Sequence, residues 1–457
     1  MKIKISNHLI LTELPSDLCQ EIKARLTMDN PAYVEAEKMG RWTGRISEKL
    51  YFYHSEPGGR LSVPRGFLPQ LVSLARQHGE ILITDQRRTL PEVDFTFAGA
   101  LKPFQEEAVD RMMEADEGTM SAPTGSGKTV MALKIIADRR QPTLIIVHTK
   151  ELLHQWGDRI ETFLGIPKAD IGIIGGGKKK IGEKITVGIV NSIYPIAGEL
   201  KHHFGHLVVD ECHRTPSRTF TEAVTAFDSK YMLGLSATPY RRDGLSKLIF
   251  WHLGDCLHRI DQVDLQEAGH IVPAEVILRP TGYVPPLDMA AEYSTGLSVL
   301  TEDGDRNRLI SVDVAREAGN GGGVCLLLTD RREHCERLWI LLRRQGINAE
   351  LLHGRHSPRD RQEVIERLNT GEVPVLVATG QLIGEGFDCR ELSTLFMATP
   401  ISFSGRVIQY LGRVLRPAPG KHSAKVFDYL DNNPVLMAAA RKRQKIYEGN
   451  GWRVMSC

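Results

Sequence analysis

Apolar residues along the chain follow three regimes, and each predicts a different layer of structure. Up to about residue 101 the pattern is mixed. Stretches 1–11, 50–53 and 81–85 are strand-like, 16–26 and 66–77 carry helical spacing, and Pro64-Arg65-Gly66-Phe67 introduces the second helix. From 104 to about 262 the apolar runs are short, continuous and β-branched, at 143–147, 187–190, 207–209 and 231–235. Such runs belong to strands buried on both faces of a parallel sheet, and helical segments such as 105–116 and 130–139 lie among them, so a doubly wound α/β domain is expected. The alternation returns from 324 to about 429, with strands at 324–328, 349–352, 373–378 and 395–398 and helices at 332–345 and 359–369.

Between the two repeats, 271–321 is less regular and holds Pro273, Pro280, Pro285 and Pro286. It reads as a connection with one helix near 306–317, closed by Gly321-Gly322-Gly323 before the next strand. The tail 434–447, with Arg441, Lys442, Arg443 and Lys445, reads as a basic helix, a plainly solvated face being the equal alternative. The expected organisation is an accessory domain at 1–95, α/β domains at 96–265 and 323–430, a connection at 266–322 and a basic helix at 431–457.

Composition narrows the function classes. A chain of 457 residues is too long for one core, so two or three domains are expected. Formal net charge is only +2, from 58 basic and 56 acidic residues, so any nucleic-acid footprint must be a local patch. The seven cysteines are odd in number, scattered and never spaced C-x-x-C, which points to a reducing compartment and away from structural zinc or a disulfide framework. Met1-Lys2-Ile3-Lys4-Ile5 lacks the apolar core of a signal peptide, and no apolar run is long enough to span a bilayer. A cytoplasmic protein without membrane contact is expected.

Four stretches carry chemistry. Ala122-Pro123-Thr124-Gly125-Ser126-Gly127-Lys128-Thr129 is a glycine-rich turn feeding a helix, where backbone N–H groups and the helix dipole converge on anionic oxygens. Gly125 and Gly127 let the backbone approach a triphosphate, Lys128 would reach its β and γ phosphates, and the Thr129 hydroxyl would hold Mg²⁺. Val208-Val209-Asp210-Glu211-Cys212-His213 ends a strand in two carboxylates, Asp210 suited to Mg²⁺ and Glu211 to orienting or deprotonating the attacking water. Ser236-Ala237-Thr238-Pro239 offers small hydroxyls that could bond those carboxylates and transmit their state. In Gln409-Tyr410-Leu411-Gly412-Arg413-Val414-Leu415-Arg416-Pro417, Arg413 and Arg416 would project from one helix face and suit the charge of a transferring phosphoryl group. Near the N-terminus Arg41, Trp42, Arg45, Lys49, Tyr51, Phe52 and Tyr53 interleave charge and aromatic rings, as in a strand that stacks bases or an ordinary half-buried one.

In this order the stretches resemble superfamily II helicases, and within them the DEAH-type branch of XPB-like and UvsW-like prokaryotic and phage enzymes. The resemblance covers about 101–429. Lys102-Pro103-Phe104-Gln105 resembles the adenine-reading segment, with Gln105 placed to contact adenine and Lys102 where the family usually has arginine. The loop 122–129 matches motif I, Asp210-Glu211-Cys212-His213 motif II and Ser236-Ala237-Thr238 motif III. Leu352-His353-Gly354, and Val377-Ala378-Thr379-Gly380 continuing to Gly384-Glu385-Gly386-Phe387-Asp388, resemble motifs IV and V; Gln409, Arg413 and Arg416 match motif VI. His148-Thr149-Lys150-Glu151-Leu152 resembles motif Ia, while Val190-Asn191-Ser192 departs from the usual form of motif Ib.

The resemblance implies two RecA-like parallel-sheet domains in tandem, preceded by a small mixed α/β domain that engages DNA. It implies ATP and Mg²⁺ as cofactors, with Gly386, Asp388 and Gln409 toward the nucleotide, His213, Ser236 and Thr238 coupling the two sites, and His148, Lys150 and Thr379 toward nucleic acid. The activity implied is an ATP-dependent DNA helicase or translocase on single-stranded, forked or branched DNA, with protein partners in repair, replication or phage defence. An RNA-directed motor stays open, as does a nucleotide-gated subunit of a larger complex with little unwinding of its own.

Overall fold

The computed structural model describes residues 1–214, 218–237, 246–380, 389, 391–401, 410–418 and 420–457. The chain divides into two compact units, one of 1–122 with 127–259 and one of 260–457 with 123–126.

The first unit is built on an eight-stranded sheet in the order Lys178–Lys180, Gly172–Gly175, Ile185–Ile189, Thr143–Val147, His206–Val209, Tyr231–Ser236, Glu117–Ser121 and Cys256–Arg259. Every neighbouring pair is parallel except the hairpin formed by the first two. The central strands are buried along their whole length, which is why their runs are continuous and not alternating. Parallel pairing brings the carboxyl ends of the strands to one edge, where open α/β sheets bind ligands.

The N-terminal strands form a second, mixed sheet, ordered His54–Glu56, Arg60–Pro64, His8–Thr12, Lys2–Ile5 and Leu82–Asp85. Its core of Ile3, Leu9, Leu18, Ile22, Phe67 and neighbours is completed by Leu248 and Trp251 of the helix Ser246–Leu253. The expected accessory segment 1–95 therefore shares a core with the α/β layer that follows it. At the junction Arg65 donates to Glu117 at 2.5 Å and to the carbonyls of Ser229 and Lys230 at 2.6 and 2.7 Å. A Cβ on Gly66 would stand 2.1 Å from the Phe250 carbonyl oxygen, so only glycine permits that approach. Arg41 and Trp42, expected on a strand, follow the helix Pro31–Lys38 in an irregular segment; the chain turns at Gly40 (φ +62°) instead of continuing extended.

The second unit is a wholly parallel seven-stranded sheet, ordered Ala349–Leu352, Val375–Thr379, Val324–Thr329, Leu392–Met397, Ala424–Leu430, Ala274–Pro280 and Arg453–Ser456. Two expectations are corrected here. The stretch 266–322 is no mere connection: Ala274–Pro280 is an inner strand, and the helices Tyr293–Glu302 and Gly304–Gly319 follow it. Pro273 and Pro280 bound that strand rather than break it, since proline is tolerated at strand ends. The tail beyond 431 is likewise more than a basic helix. Pro434–Gly449 buries Leu436, Ala440, Arg443 and Tyr447, and Arg453–Ser456 adds an edge strand. Arg443 is not solvated but paired with Asp428 at 2.7 Å, both side chains buried. The expected class, α/β with two parallel-sheet domains in tandem and a small mixed N-terminal sheet, is the one the chain adopts.

Candidate active site

Strand Glu117–Ser121 ends beside Tyr231–Ser236, and the Ala122 N–H donates to the Ser236 carbonyl at 2.9 Å. The chain then turns through Gly125 at φ +91° and Gly127 at φ +87°, conformations open to glycine at no steric cost. Helix Lys128–Arg139 starts there with no capping side chain, so its first turn presents backbone N–H groups in the way a phosphate needs. Ser126 Oγ donates to the Pro123 carbonyl at 2.8 Å, and Lys128 Nζ to the Ala122 carbonyl at 2.8 Å. Thr129 is half-buried in the same turn. Gln105 belongs to the same neighbourhood: a Cβ on Gly127 would lie 2.4 Å from its Nε2, and its Oε1 accepts from the Lys102 N–H at 3.0 Å.

Two strands away, His206–Val209 delivers the carboxylates to the same edge of the sheet. Asp210 is buried; Oδ2 accepts from the Trp156 indole N–H at 2.8 Å and Oδ1 from the Glu211 N–H at 2.9 Å. Burial, and then the neighbouring Glu211, push the Asp210 carboxyl up to about 6, against the pull of Trp156 and Lys128. Glu211 itself takes the left-handed conformation at φ +51°. Its Oε2 lies 3.2 Å from His213 Nδ1, which is also 3.2 Å from Ser236 Oγ. Glu211, His213 and Ser236 thus form one polar chain.

The donor set fits a nucleotide carrying Mg²⁺. Buried Asp210 and the partly buried Glu211 set two adjacent carboxyl groups at the strand end, oxygen donors that suit a hard cation. Among the described residues no group of three or more His, Cys, Asp or Glu side chains could cage a metal unaided. Mg²⁺ is commonly held by one or two protein oxygens together with phosphate and water. Asp210 and Thr129 are the residues that could hold it.

The other expected residues are more dispersed. His148 stacks on Phe220 with ring centroids 5.1 Å apart, and Lys150 is exposed at the start of helix Lys150–Leu164. Thr379 closes its strand opposite Thr329. Trp42 is 73% exposed, with the Arg45 guanidinium 5.9 Å from its ring, and Arg41 is exposed beside it. Among the described residues 410–414 are helical and hold Arg413, while Arg416 lies past the last helical residue. Thr238, Gly386, Asp388 and Gln409 lie outside the described residues.

Two contributors escaped the sequence reading. Trp156 belongs to none of the motifs, and only the rule that a buried indole N–H seeks a partner draws attention to it. Lys421 Nζ donates to the carbonyls of Val414, of Arg416 at 2.8 Å and of Leu392 at 2.5 Å, tying down the backbone that carries the arginines. No spacing in the sequence links it to them.

Two family patterns match the chain: residues 99–241 fit "Type III restriction enzyme, res subunit" and 306–418 fit "Helicase conserved C-terminal domain", together more than half of the 457 residues. The probable helicase D10 of Escherichia phage T5 is 26% identical over 376 residues, covering 81% of this chain and 80% of that protein. The DNA 3'-5' translocase XPB2 of Sulfurisphaera tokodaii is 29% identical over 353 residues, 69% of this chain and 78% of that protein. In fold the chain is similar to the Hef helicase domain of Pyrococcus furiosus, at a TM-score of 0.50 and 16% identity, over 74% of this chain and 97% of that one. With both helicase patterns in tandem on parallel α/β sheets, the chain belongs to the superfamily II helicases and is an ATP-dependent nucleic-acid helicase.

Proposed function

We propose that the protein is a DNA motor of the DEAH-type, XPB-like and UvsW-like branch, moving along and unwinding or remodelling DNA with ATP and Mg²⁺. The observation that carries this reading is the meeting of the glycine turn and Lys128 with Asp210 and Glu211 at one sheet edge. In it, Lys128 and the N–H groups of the loop 123–129 bind the phosphates, and Gln105 reads the adenine. Thr129 and Asp210 hold Mg²⁺, which when bound neutralises phosphate charge. Glu211 orients the attacking water and accepts its proton. His213 and Ser236, with Thr238, relay the state of that carboxylate.

Arg413 and Arg416 then meet the charge that develops on the γ phosphate, with Gly386, Asp388 and Gln409 completing the nucleotide contacts. His148, Lys150, Thr379, Arg41 and Trp42 contact the nucleic acid. Such backbone contacts are independent of sequence and weaken steeply with salt. DNA is favoured over RNA because the DNA 3'-5' translocase XPB2 and the DNA 3'-5' helicase XPB of Kineococcus radiotolerans match 69% and 78% of this chain, set against a putative ATP-dependent RNA helicase of Acanthamoeba polyphaga mimivirus that matches 80%. We also place the protein in a reducing, cytoplasmic setting, because its seven cysteines are odd in number, scattered and never spaced C-x-x-C.

The test is strand displacement on a forked DNA duplex and on its RNA counterpart. ATP-dependent displacement of DNA, lost in Asp210→Ala, is expected. Displacement of RNA alone would overturn the choice of DNA, and no displacement of either would favour a subunit that awaits a partner.

A further inference from the structure

We propose that Trp156 is a positioning residue for the metal-binding carboxylate, its indole N–H fixing the direction in which Asp210 meets the cation of a bound nucleotide. This rests on the reading of Asp210 given above.

Trp156 is 2% exposed on helix Lys150–Leu164, and its one polar atom bonds Asp210 Oδ2 at 2.8 Å. Core volume alone does not require that partner: Trp339, on the helix Arg332–Arg344, gives its N–H to the Ala349 backbone carbonyl at 2.7 Å. The second oxygen of Asp210 accepts the Glu211 N–H at 2.9 Å. A carboxylate bonded at both oxygens cannot turn freely about its last torsion, so the lone pairs left over keep one direction. Indole suits this role because it donates and cannot accept. It stabilises the ionised carboxylate without competing for the metal. A buried ring also resists displacement by water, which would otherwise solvate the carboxylate in many orientations.

The closing experiment measures ATP affinity by calorimetry, in Mg²⁺ and in EDTA, for the wild type, Trp156→Phe, Trp156→His and Asp210→Asn. Trp156→Phe is expected to cut the Mg²⁺-dependent gain in affinity by about tenfold or more, the usual effect of losing a group that orients a metal ligand, with affinity in EDTA unchanged. Trp156→His restores a ring N–H in a side chain close to Phe in size and should recover part of the gain. A lowered melting temperature with the Mg²⁺-dependent gain intact in Trp156→Phe would overturn the proposal, leaving Trp156 as packing. Asp210→Asn separates the two levels. If it keeps the full gain, the metal reading of Asp210 fails and the proposal with it; if it loses the gain while Trp156→Phe keeps it, only the role of Trp156 fails. Should Trp156→Phe not fold, the wild type answers by NMR with ¹⁵N-labelled tryptophan. One buried indole signal has to move with Mg²⁺·ADP and stay with ADP in EDTA, and no movement would overturn the proposal.

Discussion

Among the described residues only Glu13, Arg140 and Glu211 hold positive φ without being glycine, and Glu211 is the one beside Asp210. The left-handed conformation costs roughly 1–2 kcal/mol for a residue with a Cβ, and strain of this kind persists where the surroundings fix it, often at functional sites. Here it aims the Glu211 carboxylate toward His213. Glu211→Gln keeps the shape and removes the base, so we expect ATP binding to persist and turnover to fall by about 10² to 10⁴, checked by pairing an affinity measurement with steady-state rates. For Arg416→Ala we expect turnover to fall by about 10³ or more while DNA affinity changes little. If DNA affinity falls more than turnover, Arg416 is a DNA contact. The sequence made Lys128, Asp210 and Glu211 legible because their spacing is local. Trp156 and Asp210 are 54 residues apart, and a pair so distant is visible only once the sheet is formed.

At the scale of elements, legibility followed burial chemistry. Thr143–Val147 was readable because both faces are buried and every position had to be apolar or β-branched. Glu117–Ser121, the strand that leads into the glycine turn, was not: Met120 is its one large apolar residue, and Thr119 and Ser121 are buried because strands flank them on both sides. Ala274–Pro280 was hidden by prolines that mark its ends. The docking of the N-terminal sheet was equally illegible, since it depends on Arg65 reaching Glu117 52 residues away. Arg65 is 2% exposed and Glu117 11%, so Arg65→Ala leaves a carboxylate in a poorly solvated place and strips two carbonyls of their donor. Truncating one partner of such a pair costs about 3–5 kcal/mol, and denaturant unfolding should report a loss of that order. A change below about 1 kcal/mol would mean that the junction is held by the shared core alone.

Across the whole molecule, three buried histidines make stability depend on pH. Burial pushes His206 and His334 down to about 3 and His252 to about 4. Their unfolded counterparts titrate near 6.5, so the unfolded chain takes up protons that the folded chain refuses. The sign follows: this stability is complete above about pH 6.5 and is lost progressively as pH falls, to about 4 for His252 and about 3 for His206 and His334, by up to about 1.4 kcal/mol per histidine per pH unit. The melting temperature should therefore drop on acidification from 7.5 to 5, and His252→Phe should flatten part of that drop; equal slopes in the two proteins would show that His252 does not contribute.

At that same scale, the nucleotide site at the strand ends is proposed to drive a DNA motor. The most direct measurement is the steady-state ATPase rate at one low salt concentration, with no nucleic acid, single-stranded DNA, duplex DNA, forked DNA or single-stranded RNA, in the wild type and in Lys128→Ala. Strong stimulation by DNA, little by RNA, and no turnover in a Lys128→Ala protein that melts like the wild type are expected. Normal turnover in Lys128→Ala would contradict the nucleotide site, and stimulation by RNA equal to or above that by DNA would contradict the DNA motor.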